Sequence, residues 1–144
     1  MRAGLALALF LLSAAPAFAQ PLTPEGVWQA GDNGESKIQI EPCGDALCGR
    51  IVWMVAPKDT AGQMKVDANN PEPALRSQPL LGLTILSDLR PSASKRNQWE
   101  GMIYNPEDGK TYAVFVRPKA GALDVEGCLL NFLCQTKTWP KASL

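Results

Sequence analysis

Histidine is absent from all 144 positions. That excludes Ser-His-Asp and Cys-His nucleophilic mechanisms outright and removes the commonest general base and metal ligand. Net charge is missing too: 14 Lys+Arg stand against 14 Asp+Glu, and nucleic acid is not an expected partner for a chain without a basic surplus. No apolar run reaches the roughly 20 residues that a helix needs to cross a bilayer, so no membrane span is expected. Repeats, low-complexity tracts and interdomain linkers are also lacking. A Walker loop fails as well, because the run ending in Gly109-Lys110-Thr111 has Tyr104 where the first glycine belongs, and reads better as a hairpin turn.

The N-terminus carries more information. Met1-Arg2 is a short basic start, Leu5 to Ala15 is rich in Leu and Ala, and Pro16 leads into Ala17-Phe18-Ala19 before Gln20. This pattern reads as a secretory signal peptide, residues 1–19, cleaved after Ala19, with residues 20–144 forming a single periplasmic domain. No cysteine sits at the cleavage site to take a lipid. Arg2 leaves with the signal, so the mature net charge is about −1.

Export gives the cysteines a setting. Cys43, Cys48, Cys128 and Cys134 are an even set in a chain that meets oxidising machinery, which points to disulfides. Proximity favours Cys43 with Cys48 and Cys128 with Cys134, and the crossed pairings stay open. Zinc sites use closer Cys pairs and usually histidine. A redox couple uses Cys-x-x-Cys at a helix N-terminus. Neither pattern is present, and no metal or cofactor is expected.

Along the rest of the chain, apolar residues recur at period two in short runs bounded by Gly, Pro, Asn and Asp, the mark of an all-β domain. Eight strands are expected: Val27 to Ala30, Ser36 to Glu41, Gly49 to Ala56, Leu81 to Leu89, the stretch around Trp99 to Ile103, Thr111 to Arg117, Leu123 to Gly127, and Phe132 to Trp139. Asn105-Pro106-Glu107-Asp108-Gly109 is the clearest hairpin turn. Short connections imply antiparallel pairing, and eight such strands can close into a small barrel that is either filled or holds one ligand; a sandwich is the alternative.

One connection breaks the rhythm. Pro57 to Pro79 is far longer than the usual loop of roughly 4–6 residues and is a candidate lid. Within it Asn70 can cap a short helical turn, with Pro71 at its first position and Glu72 complementing the dipole. Calcium at Asp67, Asn69, Asn70 and Glu72 is disfavoured because the spacing and glycine of a known loop are missing. Catalytic carboxylates are disfavoured too: Asp88, Glu100, Glu107 and Asp108 read as ordinary solvated acids.

Several longer phrases resemble a known family. They are Gly26-Val27-Trp28, CGDALCGRIVW from Cys43 to Trp53, NPEPALRSQPLLGL from Asn70 to Leu83, WEGMIYNPEDGKTY from Trp99 to Tyr112, and GCLLNFLCQTKTW from Gly127 to Trp139. Together they are similar to the bacterial exported proteins of domain-of-unknown-function family 2147. The resemblance implies a lipocalin-like antiparallel barrel in the cell envelope and supplies no activity. Gly26-x-Trp28 also resembles the signature that opens lipocalin-type barrels, which implies a structural plug of Trp28 against a late cation. The family tends to place an arginine just beyond the last tryptophan, whereas this chain has Pro140-Lys141, so Lys141 is the candidate partner. Trp99 and Trp139 are expected to be structural as well.

The functional expectation is a non-enzymatic, monomeric binding module for a small apolar or amphipathic ligand. The alternative is an envelope protein-binding module, an inhibitor or assembly factor acting through exposed loops. The interior is expected to be lined by Val52, Met54, Ile85, Ile103, Val114 and Val116 or by their neighbours one residue away. Candidate ligand-binding residues are Arg50, Trp53, Arg76, Tyr104, Asn105 and Tyr112. Arg76 is attractive because it lies in the long loop and suits a carboxylate or phosphate, and Trp53 is either a core anchor or a stacking face.

Overall fold

A computed structural model describes residues 15–16, 21–130 and 132–144 of the chain. The segment read as an export signal, with its cleavage point after Ala19, lies outside the described residues but for positions 15 and 16. Eight strands follow: β1 (Gly26–Ala30), β2 (Ser36–Cys43), β3 (Ala46–Met54), β4 (Thr84–Pro91), β5 (Trp99–Asn105), β6 (Lys110–Lys119), β7 (Ala122–Leu129) and β8 (Leu133–Pro140). They form one antiparallel sheet in sequence order. The sheet curls until β1 and β8 meet through a bridge between Trp28 and Lys141 and a hydrogen bond from the Ala142 N–H to the Val27 carbonyl, 2.9 Å. The result is a nearly closed barrel.

Local chemistry explains where the strands start. The third begins at Ala46, earlier than expected, because the two-residue turn Gly44-Asp45 sets Cys43 directly opposite Ala46. The fourth begins at Thr84, later than Leu81, because Leu80 to Leu83 forms a turn closed by the Leu83 N–H on the Leu80 carbonyl. Both disulfides staple hairpins: Cys43 to Cys48 across β2 and β3, and Cys128 to Cys134 across β7 and β8, with Cα separations of 5.8 and 4.0 Å.

Sequential antiparallel order puts alternate turns at opposite ends. One end holds the turns after β2, β4 and β6 together with both flanks of the barrel. It is packed: Trp28, Ile38, Ile40, Leu86, Leu89, Val114, Val116 and Leu123 are all buried. Trp28 donates its indole N–H to the Pro24 carbonyl at 2.8 Å, and the Lys141 ammonium lies 5.2 Å from its ring centroid. A lysine therefore occupies the cationic position, contributing on the order of 0.5–1 kcal/mol.

The other end carries the turns after β1, β5 and β7 and the loop between β3 and β4. That loop has a 3-10 turn at Pro73–Leu75, with Glu72 at the capping position and no side-chain cap. The turn thus starts two residues later than expected. Asn70 is not its cap; the side-chain oxygen of Asn70 instead accepts the Glu72 N–H at 2.9 Å in a local turn.

Candidate functional site

Period-two alternation sends one face of every strand inward, but apolar side chains fill only the packed end. Toward the other end the interior opens into a cavity of about 530 Å³. Its volume is within the roughly 300–1,000 Å³ of small-molecule sites, and it opens to solvent rather than lying sealed in the core.

The wall is graded. Ile51, Ile85, Ile103, Val125 and Trp139 form its apolar depth, whereas Ser36, Asn105, Asp108, Tyr112, Gln135 and Lys137 supply polar groups nearer the mouth. Lys137 faces Val125 across β7 and β8 and alternates with Gln135 and Trp139, so the register sets a cation in the cavity wall. Its ammonium pairs with Asp32 in the turn after β1. This ion pair joins the two edges that the backbone leaves unbonded, since among the described residues β1 and β8 pair only at Trp28 and Lys141. A flank of the cavity is consequently closed by side chains rather than by a strand ladder.

At the rim, the Tyr112 hydroxyl donates to Asp108, which also accepts the Lys110 N–H at 2.9 Å. The Tyr112 hydrogen bond is the main reason the Asp108 carboxyl sits below its usual range, and the same bond raises the phenol of Tyr112. Asp108 is thereby held as an anion and acceptor, the opposite of the raised pKa that a general acid near neutrality needs.

The long loop is pinned against the barrel and contributes no residue to the cavity lining. Its anchor is Asp67, fully buried, whose carboxylate accepts from the Tyr104 hydroxyl (2.7 Å), Asn70 (2.7 Å) and Gln78 (3.1 Å). Burial pushes the Asp67 pKa up, but the three donors outweigh it and the carboxyl stays below its ordinary value. Burial and the Asp67 carboxylate push Tyr104 up to about 12. The Asn69 side chain adds bonds to the carbonyls of Pro106 and Glu107 at 3.2 and 2.9 Å.

The six residues expected to meet a ligand separate into two groups. Tyr104, Asn105 and Tyr112 come together at the cavity wall. Arg50 lies outside it, bonded to Glu41 at 2.6 Å, and Trp53 is 39% exposed on the outer surface with the Lys37 ammonium 5.1 Å from its ring. Arg76 donates to the Asn70 carbonyl at 2.8 Å and serves the loop itself. Of the interior residues expected, Ile85 and Ile103 reach the cavity, Val114 and Val116 reach the packed core, and in β3 the inward position is Ile51, one residue from Val52. Met54 packs at the edge of the core. Sequence reasoning missed Ser36, Gln135 and Lys137, which look like outward polar residues, and Leu129 and Leu133, whose signal was a charge-free run between two cysteines.

Comparison with known proteins adds the following. The profile of a family described as "Uncharacterized protein conserved in bacteria (DUF2147)" matches residues 26–141. A solved structure from the human pathogen Helicobacter pylori, described as belonging to the lipocalin family, superposes with a TM-score of 0.69 at 25% identity over 85% of this chain and 84% of that one. No curated protein matches the chain.

Proposed function

The chain belongs to the DUF2147 family of bacterial proteins, and from that premise we propose that it is a non-enzymatic periplasmic module that binds one small amphipathic molecule. The carrying observation is the graded cavity, apolar at depth and lined by Lys137, Gln135, Tyr112 and Asp108 toward the mouth. An apolar body gains about 25 cal/mol per Å² on leaving water for such a wall. A polar head group at the mouth keeps its hydrogen bonds and fixes orientation. Lys137 suits an anionic head, which would compete with Asp32 for the ammonium. The lipocalin-like fold of the H. pylori structure supports the reading, as do the two disulfides for an exported protein.

The test is a fluorescence titration with an anilinonaphthalene sulfonate probe. Saturable binding at one site is expected, with displacement by fatty-acid-sized amphiphiles. An unsaturable signal, or one that added amphiphiles leave unchanged, would sink the reading.

A further inference from the structure

Between Cys128 and Cys134 the chain reads Leu-Leu-Asn-Phe-Leu, without one charged residue. Four of those side chains stand in solvent at the tip of the β7–β8 hairpin: Leu129 at 44%, Leu130 at 71%, Phe132 at 72% and Leu133 at 58% exposure. Exposure of that much apolar surface in one place is unusual for a soluble domain and marks an interaction site. We infer that this tip docks the barrel onto a lipid bilayer by inserting Leu130 and Phe132 among the acyl chains.

Three observations select a bilayer over other occupants. The exposed set is small; a handful of side chains falls well short of the roughly 20–30 residues a side of a stable protein interface, whereas a membrane anchor needs only a few inserted apolar groups. The Cys128–Cys134 bridge closes the neck of the hairpin, so burying the tip orders little extra chain. Most telling, Leu129 and Leu133 belong both to the exposed tip and to the cavity wall. The two leucines therefore place apolar surface of the tip directly against the cavity wall, beside the polar groups of the mouth, a route by which an amphipathic molecule can pass between membrane and cavity with its apolar part kept off water.

Charge adds a prediction of its own. The turns sharing this end contribute Asp32, Glu35, Glu107 and Asp108, with Lys110 at the start of β6; the long loop adds Lys58, Asp59, Lys65, Glu72 and Arg76, and Lys137 is already paired with Asp32. Such a mixed rim gives no electrostatic attraction to anionic lipid, so docking should be driven by insertion and be indifferent to salt.

The experiment is flotation of the disulfide-intact protein with vesicles of zwitterionic phosphatidylcholine at low and high salt. Wild type is expected to float at both. Leu130→Ser and Phe132→Ser should each weaken partitioning about tenfold or more, from the transfer cost of a large apolar side chain, and the double variant about a hundredfold, with an unchanged circular dichroism spectrum. A cavity plugged by Gly127→Phe should still float, which separates docking from ligand binding. Docking is overturned if wild type stays with the unbound protein, if the double variant floats equally well, or if the two substitutions abolish a lipid-independent dimer instead.

Discussion

Asp67 is the residue on which the long loop depends. A buried carboxylate depends on its three donors, since hydrogen bonds to a charged group contribute roughly 1.5–3 kcal/mol each and offset the cost of taking the charge out of water. Its folded pKa lies below the ordinary 3.8, so its stabilising contribution is fully present above that value and is lost as the pH falls through the lower folded one. Asp67→Asn should cost about 2 kcal/mol and flatten this acid limb, measured by urea melts across the pH range. Tyr104→Phe removes one donor and should cost about 1 kcal/mol. An acid limb unchanged in Asp67→Asn would assign it to other carboxylates. None of this was readable from the sequence: Asp67 and Tyr104 are separated by 37 positions, and no local pattern announces a contact that only the fold creates.

Among the elements, the hairpins were legible because their determinants are local. Asp108-Gly109 called for a turn, and Cys43 with Cys48 and Cys128 with Cys134 lie close enough to staple neighbouring strands. β8 was harder to read: it alternates Gln135, Lys137 and Trp139 inward with Thr136 and Thr138 outward, so polarity does not reveal its face. The long loop was legible as a candidate lid by its length alone, and its anchors were not legible. Gly109 shows how tight that anchoring is. Its φ is +67°, and a Cβ there would stand 2.0 Å from the Asn69 carbonyl oxygen, so Gly109→Ala should cost about 1–3 kcal/mol through strain and displaced loop contacts. Faster hydrogen exchange across residues 65–80 would report it; unchanged exchange would mean that the loop is held without Asn69. Reducing either disulfide should cost about 2 kcal/mol, as a short closed loop implies.

At the scale of the whole molecule, the barrel divides its labour between two ends. Trp28, Lys141 and the buried aliphatics close one, and the unfilled other holds the cavity. The seam between β1 and β8 is continuous only near the closed end, and toward the mouth the Lys137–Asp32 pair bridges it. Both partners are largely exposed, so Asp32→Asn should change stability by less than about 1 kcal/mol. It should also speed probe dissociation in stopped-flow measurements; an unchanged rate would show that the flank is not a route of exchange. The fold class was legible from period-two patterning and strand count, because every antiparallel pair is built from neighbours in sequence. The cavity was not, since its volume is the difference between a barrel's girth and the side chains of eight strands.

Gly127 offers the most direct test. It faces the cavity, it lacks a left-handed backbone, and a Cβ there would meet only Ile103 at an ordinary 3.7 Å. Gly127→Phe should therefore set a ring across the cavity and obstruct its apolar depth without breaking the barrel. The decisive measurement is native mass spectrometry of wild type and Gly127→Phe, each purified disulfide-intact from the bacterial periplasm. A small organic mass retained by wild type and missing from the plugged variant is the predicted result. The same mass on both proteins, or none on a wild type that also ignores amphiphiles added in excess, would contradict a binding role for the cavity.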